Sequence, residues 1–314
     1  MSLPYRMTPV EALASAAPAP ARPRLLLAPS LEGLRQGMLV HVDEAGQVRS
    51  PARYRALRLL DLGASTAAAL LGSALYASFF GPLAGALAAG FFGATVLVSA
   101  RRRGQMERIA ALVAEGRLGE AEALCRRLLA QRLLPARVAA AAHQGLSVVA
   151  TRRGEFAEAL GEVRGALHLL RRWRRGGLHA ELLAYSEVGL LVNLERVDEA
   201  RAALAARGRV PAGDYLRVLH WSAELAVQFA AGVVEIDEDE LWTRSRRALH
   251  LVGLPHLLAL CAWASAARGD DGMSDHLLAE ALDRATSDSA VTVPALWRWV
   301  DGRRARLAGP VLGG

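Results

Sequence analysis

From Leu62 to Ala100 the chain runs for 39 positions without a charged residue, between flanks crowded with arginine. A run beyond about 18 such residues is long enough for a membrane span, and one span takes about 20. Two spans fit this stretch. Gly81-Pro82, near its middle, is a turn signal that also breaks a helix, so the pattern predicts a helical hairpin over about 62–80 and 83–100. Arg53, Arg55 and Arg58 precede it, and Arg101, Arg102 and Arg103 follow it. Arginine clusters mark the cytoplasmic side, which predicts both ends inside and the turn outside; an even number of spans satisfies that rule. Small residues are dense in both halves, and Gly85 with Ala89 is a small-xxx-small pair of the kind that lets spans approach closely. The competing reading is a hairpin buried inside a soluble protein, which the lack of a polar face over such a length disfavours.

Upstream, six prolines within residues 1–30 prevent a stable helix or central strand, and residues 1–52 are read as a flexible cytoplasmic tail. Within it, Met38 to Val42, the turn-like Asp43-Glu44-Ala45-Gly46 and Val48 could form a small β-hairpin.

Beyond Gln105 the apolar residues return at helical spacing, and the pattern repeats. In Gly116-Arg117-Leu118-Gly119-Glu120-Ala121 and Gly154-Glu155-Phe156-Ala157-Glu158-Ala159, a glycine is followed by an apolar residue two positions later and by alanine three after that. Glu195-Arg196-Val197-Asp198-Glu199-Ala200 repeats the order with Glu195 in the glycine position. The apolar anchors Leu118, Phe156 and Val197 are 38 and 41 apart, and two further steps predict corners near 235 and 273, where Gly232 to Ile236 and Gly269 to Met273 stand. Glycine permits the positive φ that ends a first helix, the apolar residue staples the second, and alanine lets the two approach closely. Five helical hairpins with a period near forty follow, and stacking is what would bury their apolar faces. Pro294 opens a last helix, a terminal cap.

Over roughly residues 104–290 this pattern resembles the tetratricopeptide family, most clearly at Leu146, Ala150, Gly154, Phe156, Ala159 and Ala166. The period exceeds that family's usual thirty-four, and the third, fourth and fifth units depart from its pattern. The resemblance implies an all-α fold, an α-solenoid of about five hairpins beside the two-helix transmembrane hairpin, with domains at 1–52, 53–103 and 104–314. It also implies a scaffold rather than an enzyme, binding a protein or peptide partner in a groove lined by first helices. Position matching to the family places His143, Gln144, Ser147, Glu187 and Asn193 on that groove.

Composition narrows the chemistry. All 38 basic residues are arginine, so a phosphate-loop lysine, a kinase lysine and a Schiff-base lysine are excluded. The net charge of +7 divides as +6 over residues 1–103 and +1 over 104–314; the excess flanks the apolar stretch, and no nucleic-acid footprint remains on the larger part. Two cysteines build neither a disulfide framework nor a structural zinc site, and Cys125 and Cys261 read as buried thiols. The eight histidines lack ligand spacing, so no metal, no cofactor and no catalytic residue is expected, nor a small-molecule substrate. Arg171-Arg172-Trp173-Arg174-Arg175 is read as a helix C-terminus, and Asp237 with Glu240 as the capped start of one.

The expectation is a bacterial adaptor in the cytoplasmic (inner) membrane, multi-pass, contacting the lipid bilayer, with both termini in the cytoplasm. An alternative makes the hairpin the working part of a transport or secretion assembly, and a further one makes the chain a soluble sensor that masks its apolar hairpin.

Overall fold

The computed structural model describes residues 51–132, 134–172, 177–208, 210, 214–250, 255–285 and 289–307. Most of the predicted tail, its small hairpin and Trp173, Arg174 and Arg175 lie outside the described residues. Within them the secondary structure is all helix: α1 (Pro51–Phe80), α2 (Pro82–Ala114), α3 (Leu118–Leu129), α4 (Ala136–Arg153), α5 (Phe156–Arg172), α6 (Gly177–Asn193), α7 (Val197–Ala205), α8 (Asp214–Ala231), α9 (Glu238–His250), α10 (Pro255–Ala267), α11 (Asp271–Arg284), the single turn α12 (Ser289–Thr292) and α13 (Pro294–Leu307).

Helices α1 and α2 lie side by side, joined only by Gly81, whose φ of 87° a side chain would oppose. Both are long and apolar enough to cross a membrane. Their apolar residues face outward: Phe79 is 78% exposed, Leu83 75% and Phe91 70%, so this chain does not bury the pair in its own core. Close approach is concentrated at Gly85. A Cβ there would overlap that of Ala77 and come within 3.0 Å of the Ala77 Cα and 3.1 Å of the Ser73 carbonyl oxygen.

The predicted boundary at 103/104 falls inside one uninterrupted helix. Arginine, alanine, methionine and glutamate are good helix formers, and the lone Gly104 costs only about 1 kcal/mol relative to alanine, so no terminator stands between the apolar run and Ala114. The last turns of α2 therefore serve as the first helix of the first hairpin. Ile109, Leu112 and Val113 are buried there, against Cys125 and Leu128 of α3 and Ala142, Leu146 and Val149 of α4. Gly145 marks the tight point, where a Cβ would sit 2.8 Å from the Cys125 sulfur.

The five corners share one backbone. Gly116, Gly154, Glu195, Gly232 and Gly269 all have positive φ, between 59° and 85°, at intervals of 38, 41, 37 and 37. At each, two hydrogen bonds close the preceding helix as a Schellman motif: Glu155 N–H donates to the Ala150 carbonyl and Gly154 N–H to that of Thr151, with the equivalent pairs at the other four. The second helix then opens with the N–H of Ala121, Ala159, Ala200, Leu241 or Ser274 donating to the carbonyl of Arg117, Glu155, Arg196, Asp237 or Asp270. Ala121, Ala159 and Ala200 are wholly buried, as the close-approach argument requires, and so is Ser274.

The fourth corner is the exception. Leu241 stands where the others have alanine or serine, and five residues rather than one separate Gly232 from α9. There α8 and α9 are tied by a charge instead: Arg244, 2% exposed, donates to Glu224 at 2.8 Å and lies 5.6 Å from the centre of the Trp221 ring. Asp237 caps α9 as predicted, accepting from the Glu240 N–H at 2.7 Å. One apolar core runs from Ala140 through α5, α6, α8 and α10 to Val300. The predicted last helix, α13, packs on α10 with Leu296 and Val300 fully buried, and Arg303 ties it to Asp271 and Asp275 of α11 at 2.6 and 2.8 Å.

Candidate partner-binding groove

First helices α4, α6, α8 and α10 are laced to one another at regular intervals. His179 Nε2–H donates to Gln144 Oε1 across α4 and α6 at 2.9 Å. Tyr185 and His220 meet across α6 and α8 with 3.3 Å between hydroxyl and Nδ1. Phe229 and Trp263 meet edge to face across α8 and α10, ring centres 5.2 Å apart. The sequence separations are 35, 35 and 34 residues, each pair linking neighbouring first helices. Burial first, then Arg137, lowers the His179 pKa, and burial also lowers that of His220; both rings are held neutral and can pair with uncharged partners.

Of the five residues expected on a groove, Gln144 takes part in this lacing and the other four pair elsewhere. His143 Nδ1 pairs with Glu162 of α5 at 2.6 Å. Gln144 is taken by His179. Ser147 is buried, and its carbonyl accepts from the Thr151 hydroxyl at 2.8 Å. Glu187 accepts from Arg164 of α5 at 2.8 Å, an ion pair that raises the Arg164 pKa. Asn193 reaches furthest: its side-chain Nδ2–H donates to the Thr292 carbonyl at 2.8 Å, across 99 residues of sequence. Thr292 belongs to α12, which packs against α4. The structure thus brings α4, the end of α6 and a segment from the far end of the chain together on the row of first helices.

Several participants carry no sequence signal of their own. Glu162, Arg164 and Glu199 look like ordinary solvated charges of a second helix, yet Arg164 joins Glu187 and comes within 3.5 Å of Glu199. Thr292 looks like a linker residue. Position matching pointed to His143, Gln144, Glu187 and Asn193 but not to these partners.

Elsewhere, a cavity of about 400 Å³ opens between α9, α10 and α11, lined by Glu238, Asp239, Trp242, Ser245, Ser265 and Arg268 among others. The Ser245 and Ser265 hydroxyls are buried without a hydrogen-bond partner, and neither is paired to a base that would make it a nucleophile. Burial pushes the Cys125 thiol up to about 12 and that of Cys261 to about 11, so both are protonated near neutral pH. Among the described residues no group of three or more His, Cys, Asp or Glu could hold a metal ion.

Set against known proteins, the chain matches no family model, no curated protein and no solved structure.

Proposed function

We propose that this chain is an α-solenoid adaptor of tetratricopeptide-like hairpins. In this reading α1 and α2 anchor it in the cytoplasmic membrane, and the row of first helices receives a protein or peptide partner. The observation that carries the reading is the continuity of α2, which leads from a span-length apolar segment directly into the first hairpin without a joint. Such a helix holds the array at a set height and angle above the bilayer, and tethering raises its effective concentration toward membrane-borne partners, so a modest intrinsic affinity suffices. No catalytic role is assigned. Both termini stay in the cytoplasm, with Arg53, Arg55, Arg58 and Arg101 to Arg103 at the inner interface and Gly81 outside.

Two measurements test this. The full chain should resist alkaline carbonate extraction, and a cysteine placed at Phe80 should react with an impermeant thiol reagent from the outer side only. The two native thiols, buried as they are, stay silent in that assay. A photo-crosslinker at Val148 on α4 should trap a species of defined mass in cells, and one at Asp198 on α7 should not. Extraction by carbonate sinks the anchor, and indifferent crosslinking at the two positions sinks the docking face.

A second reading, in which the helix pair itself assembles with other spans, draws support from Gly63, Gly90 and Gly93. None has anything within 4 Å of where a Cβ would point, so these small-residue positions are not consumed by the contact between α1 and α2. Leucine at Gly90 should then disrupt a membrane assembly while leaving crosslinking at Val148 intact; loss of the crosslink as well would return the function to the array.

A further inference from the structure

We infer that the edge of the array formed by the α3–α4 and α5–α6 turns is a docking surface for anionic phospholipid headgroups, those of the same membrane that α1 and α2 enter. The inference rests on the anchor reading above and adds to it the lipid class that sets the orientation of the array.

Helix register puts that edge beside the bilayer. α2 climbs from Arg101 to Ala114, and α3 comes back antiparallel to it. The start of α3, with Leu118 and Ala121, packs in one cluster with Leu112 and Val113; its end, with Leu128 and Leu129, packs in another with Met106 and Ile109. Met106 is only about 4.5 Å beyond Arg103 along the helix axis, so the α3–α4 turn returns to the level of the arginines that follow the apolar run. α4 then climbs and α5 descends. The pair His143–Glu162 fixes their register, which brings Arg171 at the end of α5 down to the level at which α4 starts.

The charge on this edge is one-sided. No acidic residue occurs between Ala123 and Gly154, or between Val163 and Ala180. Arg127, Arg132, Arg137 and Arg171 are all exposed there. In sequence the run after Arg171 continues through Arg172, Trp173, Arg174 and Arg175, a composition that suits a headgroup layer. Helix dipoles account for Arg127 and Arg171, which sit near C-termini. They do not account for Arg137, in the first turn of α4 where a cation is disfavoured, nor for Arg132 in the turn itself. The corners on the opposite edge are mixed: Arg117 pairs with Glu115 and Glu120, and Arg196 with Glu199, so no comparable field arises there.

Each arginine close to an anionic leaflet contributes about a fivefold gain, over a range of about one Debye length. Arg127, Arg132, Arg137 and Arg171 together give roughly a several-hundred-fold preference for the docked pose on an anionic over a neutral leaflet.

The experiment reconstitutes the full chain into vesicles of phosphatidylcholine, alone or mixed with phosphatidylglycerol, each doped with a lipid bearing a nitroxide on its headgroup. A fluorophore on Gln131→Cys reports the basic edge and one on Asp198→Cys the opposite side, while the buried native thiols stay unlabelled. Quenching at position 131 is expected to exceed that at 198, to rise at least about twofold with phosphatidylglycerol, and to fall back at high salt. Arg127→Glu, Arg132→Glu, Arg137→Glu and Arg171→Glu together should abolish the rise. Should the fourfold change perturb folding by circular dichroism, Arg132→Glu alone, in the turn, should lower it by a smaller factor. Equal quenching at 131 in the two lipid mixtures, or a rise that survives the glutamate changes, overturns the docking edge; if the chain still floats with both kinds of vesicle, the anchor stands. A chain that floats only with phosphatidylglycerol vesicles and is stripped from them by salt removes the anchor and keeps the edge.

Discussion

Glu195 is the one non-glycine residue at the five corners, and its φ of 59° is left-handed like the rest. An L side chain in that conformation costs about 1–2 kcal/mol, which glycine avoids, less the extra freedom glycine gives the unfolded chain. Glu195→Gly is therefore expected to stabilise the protein by about 0.5–1 kcal/mol, read as a raised denaturation midpoint; a destabilising outcome would mean the carboxylate has a role at that corner. His256 offers a test of the opposite kind. Burial lowers its pKa from 6.5 to about 4, so the unfolded chain takes up a proton at higher pH than the folded one. Stability from the neutral ring is full above about pH 6.5 and is lost as pH falls toward 4, by roughly 3 kcal/mol at most. The difference in melting temperature between wild type and His256→Gln should accordingly shrink across that interval and stay constant above pH 7. At this scale the sequence is partly legible. Position matching put five residues on the row of first helices, but their partners were hidden because Glu162, His179 and Arg164 meet them only after whole helices have packed.

At the scale of elements, what could be read was what is local. A Schellman corner is written within six residues, and so Gly116, Gly154 and even the aberrant Glu195 could be aligned before any coordinates. The course of α2 was not legible, because three consecutive arginines signal the edge of a bilayer but contain nothing that stops a helix. The bond from Asn193 to Thr292 was invisible for a different reason: a contact spanning 99 residues leaves no periodic trace. The pair α1 and α2 shows the limit of composition in another way. Gly85 and Gly90 look equivalent in sequence, yet only Gly85 stands at the helix crossing. Gly85→Ala would force backbone apart at Ala77 and Ser73 and should cost about 1–3 kcal/mol. Gly90→Ala meets nothing within 4 Å and gains helix propensity, so it should be neutral or stabilising by up to about 1 kcal/mol. Reversible unfolding of the full chain in mixed micelles distinguishes the two, and similar effects from both would contradict this crossing geometry.

For the molecule as a whole, the proposed adaptor depends on a mechanical link. If α2 couples anchor to array, the orientation of the first hairpin relative to α1 is set by one helix, about 1.5 Å per residue, with Gly104 its weakest point between the arginines and the buried Ile109. Gly104 is exposed and a Cβ there meets nothing, so alanine fits the site and proline breaks it. Gly104→Ala should stiffen the link by about 1 kcal/mol of helix propensity. Gly104→Pro removes a backbone donor and clashes with the preceding turn, a cost of about 3 kcal/mol that the helix relieves by kinking. Spin labels on cysteines placed at Phe80 and Val148, with the buried native thiols unreactive, report the consequence directly. The distance distribution should stay narrow in wild type and Gly104→Ala and broaden or shift in Gly104→Pro, while helical content changes little. Membrane retention should survive, since α1 and the apolar half of α2 are untouched, but crosslinking at Val148 should fall because the array no longer presents its first helices at a fixed height. A proline variant that keeps full crosslinking would show that tethering alone, through local concentration and without orientation, is what the anchor contributes.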